Sequence, residues 1–147
     1  MRNRLIAFMK SLTISAVLVF LSLLLGLITL IIFIWYSTIN AIISIPVLVF
    51  LPIALIASLT VLIFNKKWTP YLSILIPVFF TVSLCEELHS GIGNIVDALQ
   101  GIAMFGNSAL APINYLMTIL LFLCLVLSLV SCFIRKPNVT NVTSLEN

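Results

Sequence analysis

Charge is what this sequence has least of. Of 147 residues only 7% are charged while 63% are hydrophobic, and the mean hydropathy is +1.33. A soluble domain carries about 25% charged residues, so the chain cannot cover a water-facing surface and no soluble domain fits beside its apolar runs. The seven Lys and Arg fall in three small groups. With no basic stripe and no stacking platform, the pI near 9.0 does not point to nucleic acid. There is one histidine, His89, too few for bis-histidine haem ligation, and HExxH is absent. The three cysteines, Cys85, Cys124 and Cys132, stand alone without CxxC or CxxH. Outward cysteine pairs, which quinone-linked thiol oxidation needs, are therefore missing. A disulfide requires Cα atoms within roughly 7 Å, and these three fall at different depths of the expected bundle, which makes them apolar packing residues. GxSxG is absent, so a hydrolase built on that motif is excluded. Residues 12–36 hold no charge, whereas proton-coupled exporters of the small multidrug type depend on a carboxylate there. No internal repeat supports an inverted-repeat transporter core.

What the sequence does have is four long apolar runs, at residues 12–36, 41–64, 68–85 and 113–134. Hydrocarbon about 30 Å thick is crossed by about 20 such residues, and there the backbone must satisfy itself within a helix. The first run is too long for a signal peptide and no small-x-small site follows it. The expected fold is therefore an all-α integral membrane protein, a single polytopic domain of four transmembrane helices and a tail at 135–147. Arg2, Arg4 and Lys10 precede the first run, Lys66 and Lys67 separate the second from the third, and Arg135 and Lys136 follow the fourth. Residues 37–40 and 86–112 contain no Lys or Arg. The positive-inside rule places both termini in the cytoplasm, which leaves the two sequon-like triplets beginning at Asn138 and Asn141 unused. Pro70 and Pro112 suit first helical turns. Pro46, Pro52 and Pro77 are expected in helix interiors, where freed carbonyls need other donors.

Small residues mark a packing seam on the first helix. Ser15, Ser22 and Thr29 recur every seven positions and Gly26 lies four after Ser22, a face where another backbone can approach closely. Ala54 and Ser58 give the second helix a shorter version.

The polar exception is Glu86-Glu87-Leu88-His89-Ser90-Gly91-Ile92-Gly93. It holds two of the four acidic residues and the only histidine. After it, Ile92, Ile95, Val96, Leu99, Ile102 and Ala103 follow i, i+3, i+4, i+7 spacing with Asn94, Asp97 and Gln100 opposite. This predicts a separate outward amphipathic helix at 90–105, with Ser90 as N-cap and Gly106 as its stop. Glu86 and His89 are one turn apart, and in an unbroken helix Asp97 would return to the azimuth of Glu86. Glu86, Glu87, His89 and Asp97 are thus the candidate functional cluster, with proton relay or metal ligation as its chemistry. Gly91 and Gly93 argue for a break between the halves, which reduces the cluster to a solvated helix end.

Three functional classes follow. The first is a non-enzymatic polytopic protein of a bacterial inner membrane, of accessory, regulatory or immunity type. It would act through contact with another membrane protein or with itself, the lipid bilayer being its surroundings. The second is an oligomeric small transporter or channel subunit, and the third an enzyme using Glu86, His89 and Asp97. No cofactor, metal or nucleic-acid partner is expected, and the first class is preferred.

Overall fold

The computed structural model describes residues 14–40, 44–64, 69–101 and 103–134. All seven Lys and Arg, the two sequon-like triplets, Pro137 and Ile102 lie outside the described residues, as do the first residues of the three expected spans that begin at 12, 41 and 68. The described chain forms four helices, α1 (Ile14–Asn40), α2 (Ile45–Ile63), α3 (Thr69–Gln100) and α4 (Ala111–Ile134), with a short 3-10 turn (Ser108–Leu110) leading into the last. All four helices are long and apolar enough to cross a membrane.

Local chemistry sets most of the boundaries. Ser44 takes the extended conformation before α2, and Pro46 sits in the first turn. Its missing N–H is therefore one that no helix start could use, which corrects the expectation of an interior position. Pro52 and Pro77 do lie inside helices. Pro77 cannot donate to the carbonyl four residues earlier; that carbonyl, on Ser73, instead accepts the Cys132 thiol of α4 at 2.8 Å. A defect in one helix is thus repaired from its neighbour.

The largest departure from expectation is in α3. The predicted break at Gly91 and Gly93 is absent, and residues 90–100 continue the third span rather than forming a separate amphipathic element. The helix ends at Gly101, not Gly106. Gly101 adopts φ +67°, a left-handed conformation that costs glycine little, and its N–H returns to the Asp97 carbonyl at 3.0 Å. At 1.5 Å per residue α3 is about 48 Å long, well beyond the ~30 Å of hydrocarbon.

Among the described residues α1 packs against α2 and α4, and α3 against α2 and α4, with no close backbone approach across either diagonal. Short connections make sequential neighbours antiparallel, giving an up-down-up-down square. The core holds Phe33, Leu51, Ile76, Phe80, Met117 and Leu121, all essentially inaccessible. Large apolar side chains cover the outside as well, including Ile31, Ile56, Tyr71 and Phe133. Only a non-aqueous surrounding tolerates that coat on every helix. The four seam residues of α1 all face inward. Ser15 and Ser131 of α4 exchange hydroxyl-to-carbonyl bonds of 3.1 and 3.0 Å and lie 2.8 Å apart, oxygen to oxygen. A Cβ on Gly26 would come within 2.6 Å of Leu55 in α2.

Candidate functional site

Among the described residues the buried amide and carboxylate side chains gather at the end of the bundle formed by the C-termini of α1 and α3 and the N-terminus of α4. The amphipathic stretch of α3 is turned inside out relative to a soluble helix. Its polar face, with Glu87, Asn94 and Asp97, is buried, while Ile92 and Leu99 are exposed. That inversion follows from the surroundings. Where the exterior is apolar, the interior is the only place for side chains that need hydrogen-bond partners.

Asp97 organises the connection to α4. Its carboxylate accepts the backbone N–H groups of Met104 (3.1 Å), Phe105 (3.0 and 3.1 Å) and Gly106 (2.8 Å). Three consecutive amides converging on one carboxylate form a strong anion cradle. One turn back toward the N-terminus, Asn94 takes the next amide, Asn107 N–H, on its Oδ1 at 2.7 Å. The Asn107 side chain then accepts Ala109 N–H at 3.1 Å and starts the 3-10 turn. Residues 103–107 are thereby laid back along the last turns of α3.

That return requires two of the glycines. A Cβ on Gly93 would stand 2.6 Å from the Phe105 carbonyl oxygen, and one on Gly91 would stand 2.6 Å from Asn114 Nδ2. The pair that resembled a helix break is a landing strip for the loop and for α4.

A second set of bonds ties three helices together. Asn94 Nδ2 donates to the Tyr36 hydroxyl of α1 at 2.9 Å and to Asn114 Oδ1 of α4 at 3.0 Å. Asn114 Nδ2 donates to Glu87 Oε1 at 2.9 Å. Glu87 is 1% exposed, and its Oε2 has no partner among the described residues. Among the described residues the one other buried side-chain oxygen without a partner is Thr118 Oγ1, one turn beyond Asn114.

No protein family, curated protein or solved structure matches the chain. Of the four expected cluster residues, the structure brings Glu87 and Asp97 inward, leaves Glu86 half-buried and leaves His89 exposed. Among the described residues no three His, Cys, Asp or Glu side chains could hold one metal ion. Asp97 has both oxygens occupied by the loop. The third span is also longer than the expected run at 68–85, and so takes in Glu86, Glu87, His89 and Asp97. Glu87 lies about 27 Å along the helix from Thr69.

Sequence reasoning missed Tyr36, Asn114 and Thr118. Asn114 left a signal: it is the sole side-chain amide in the run 113–134, and an amide in an apolar span seeks a partner across helices. Tyr36 and Thr118 left none, since tyrosine at a span end and threonine within one are common.

Proposed function

We propose that this chain is a small, non-enzymatic polytopic protein of a bacterial inner membrane, with both termini cytoplasmic, acting through contact with another membrane protein. The topology rests on the one-sided distribution of Lys and Arg. On it, the capped end of the bundle faces outward. One observation carries the contact reading. That end exposes large apolar side chains, Leu99 at 75% on the last turn of α3 and Met104 and Phe105 at 74% and 67%, the latter two on a loop that Asp97 and Asn94 bond. An open groove of ≈ 340 Å³ beside it is lined by Ile92, Gly93, Val96 and Phe105, with no group suited to chemistry. A pre-organised apolar surface favours association because little ordering is left to do.

Site-specific photo-crosslinking in native membranes tests this. A photoreactive residue at Met104 or Phe105 should give one discrete protein adduct, while the same probe at Phe133, 84% exposed at the other end of α4, should give none. Adducts with lipid alone at all three positions would overturn the reading. The burial of Glu87 favours a second reading, an oligomeric transporter or channel subunit, because intramembrane carboxylates commonly mark ion paths. A strictly monomeric protein that passes no solute after reconstitution would end that alternative.

A further inference from the structure

Glu87 is built into the bundle with half of its carboxyl left open. Oε1 accepts the Asn114 amide. Oε2 is inaccessible and receives nothing from the described residues. No Lys or Arg occurs between Lys67 and Arg135, or between Lys10 and Lys66, so no cationic side chain belongs to any of the four helices around it. The groups that do surround it are few. Tyr36 is the only ionisable side chain of α1 and α2 has none. Asn114 reaches it from α4, whose ionisable groups are Tyr115, exposed, and Cys124 and Cys132 further along. On α3 itself Glu86 is half-buried, His89 is exposed and Cys85 is exposed, while Asp97 is saturated by backbone amides. A bare carboxylate here would be a charge without compensation.

Among the described residues Thr118 Oγ1 is the second buried side-chain oxygen without a hydrogen-bond partner. It lies four residues after Asn114, hence on the same face of α4 as the amide that reaches Glu87. An open carboxyl oxygen, an open hydroxyl and no cation nearby call for a positive charge small enough to need no opening to the surface.

We propose that the Glu87 carboxyl, with Thr118 Oγ1, binds one monovalent cation, a proton or a sodium ion. Occupancy is transmitted along the bonds already described. Asn114 joins Glu87 to Asn94, and Asn94 joins that pair to Tyr36 and to the loop at Asn107. The loop's shape thereby becomes sensitive to the cation.

Isotope-edited infrared spectroscopy decides it. The full chain, labelled with carboxyl-¹³C glutamate and carrying Glu86→Gln and Glu146→Gln, retains Glu87 as its sole glutamate. It is reconstituted in neutral phospholipid vesicles and titrated with alkali and, separately, with sodium against choline. A protonated-carboxyl band that alkali removes identifies the proton. A carboxylate band that shifts with sodium and not with choline identifies the metal ion. A Glu87 signal unmoved by either titrant overturns the proposal, because the open oxygen then holds no exchangeable cation. Thr118→Val, which keeps volume and removes the hydroxyl, should change the response of whichever band is found. Because the readout is made on a chain with Glu87 intact, failure of a Glu87→Gln variant to fold does not affect the test.

Discussion

The two ends of this bundle solve the same problem, polar groups in an apolar setting, by different means. Through the body and toward the Ser15–Ser131 end, most hydroxyls bond within their own helix. Ser22, Thr29, Ser58, Ser73, Thr81, Ser83 and Ser128 each donate to a carbonyl three or four residues back. Such bonds hide polarity but tell a helix nothing about its neighbour. The links between elements there include the Ser15–Ser131 pair, Thr69 to the Phe64 carbonyl at 2.9 Å, Cys124 to the Ser22 carbonyl at 3.5 Å, and Cys132 to the carbonyl freed by Pro77. At the capped end the bonds run between elements. Glu87, Asn94, Asp97 and Asn114 reach partners from seven to 58 residues away in sequence. An ionised carboxylate has no proton to return to a carbonyl of its own helix, so Asp97 takes its donors from another element. The body therefore packs by shape, and the capped end by specified pairs.

Removing the anion cradle is the sharpest way to break that contrast. Asp97→Ala leaves three amide donors without their acceptor, and hydrogen bonds to charged groups are worth about 1.5–3 kcal/mol each. With partial rescue by water at the exposed loop, a loss of about 3 kcal/mol is expected, read by denaturant titration in detergent. Proteolysis should become fast within 103–107 while the spans stay resistant. Asp97→Asn keeps an acceptor and should fall between. Equal loss of protection throughout the bundle would mean that the loop and the helices are one cooperative unit, and that the two ends are not independent.

The sequence makes the bundle legible and the cap nearly illegible, for a physical reason. An apolar run declares a span by its length alone, and the chain's own residues 12–36 or 113–134 suffice to read it. The fate of Glu86-Glu87 depends on residues far along the chain: Asn114, and the amides of 104–106. Without them a pair of glutamates after an apolar run looks like the point where a helix meets water, as Glu86 and exposed His89 partly do. Gly91 and Gly93 were equally ambiguous, since the missing Cβ that weakens a helix is also what admits a neighbouring backbone. Only the position of Phe105 and Asn114 in space separates the two meanings. Pro46 shows the same limit on a smaller scale, its role turning on Ser44 standing at the N-cap.

The glycines allow a finer comparison of the cap with the body. At Gly93 an added Cβ meets a backbone oxygen at 2.6 Å, whereas at Gly26 it meets Cδ2 of Leu55, the free end of a flexible side chain, also at 2.6 Å. Equal distances hide unequal consequences. Gly93→Ala must displace the loop, at about 1–3 kcal/mol, offset only partly by the better helix propensity of alanine. Gly26→Ala can be absorbed by a rotation of Leu55, and the propensity gain of about 0.5–1 kcal/mol brings its net effect close to zero. Thermal unfolding of the two variants side by side measures the difference. Similar losses at both sites would show that the α1 seam is as rigid as the cap.

The smallest effect lies at the opposite end, in the Ser15–Ser131 pair. Each hydroxyl bonds the other helix's carbonyl, and interhelical bonds within membranes average about 0.6 kcal/mol with a maximum near 1.7. A double-mutant cycle with Ser15→Ala and Ser131→Ala should return a coupling in that range. Because removing both partners leaves no side-chain group unsatisfied, the double variant should be little less stable than the single ones. A coupling well above it would make this pair a second specifying contact, placed where Asn94 and Asn114 have their counterpart. Helix pairing would then be fixed at both ends, and the division between packing by shape and packing by partner would fail at α1 and α4.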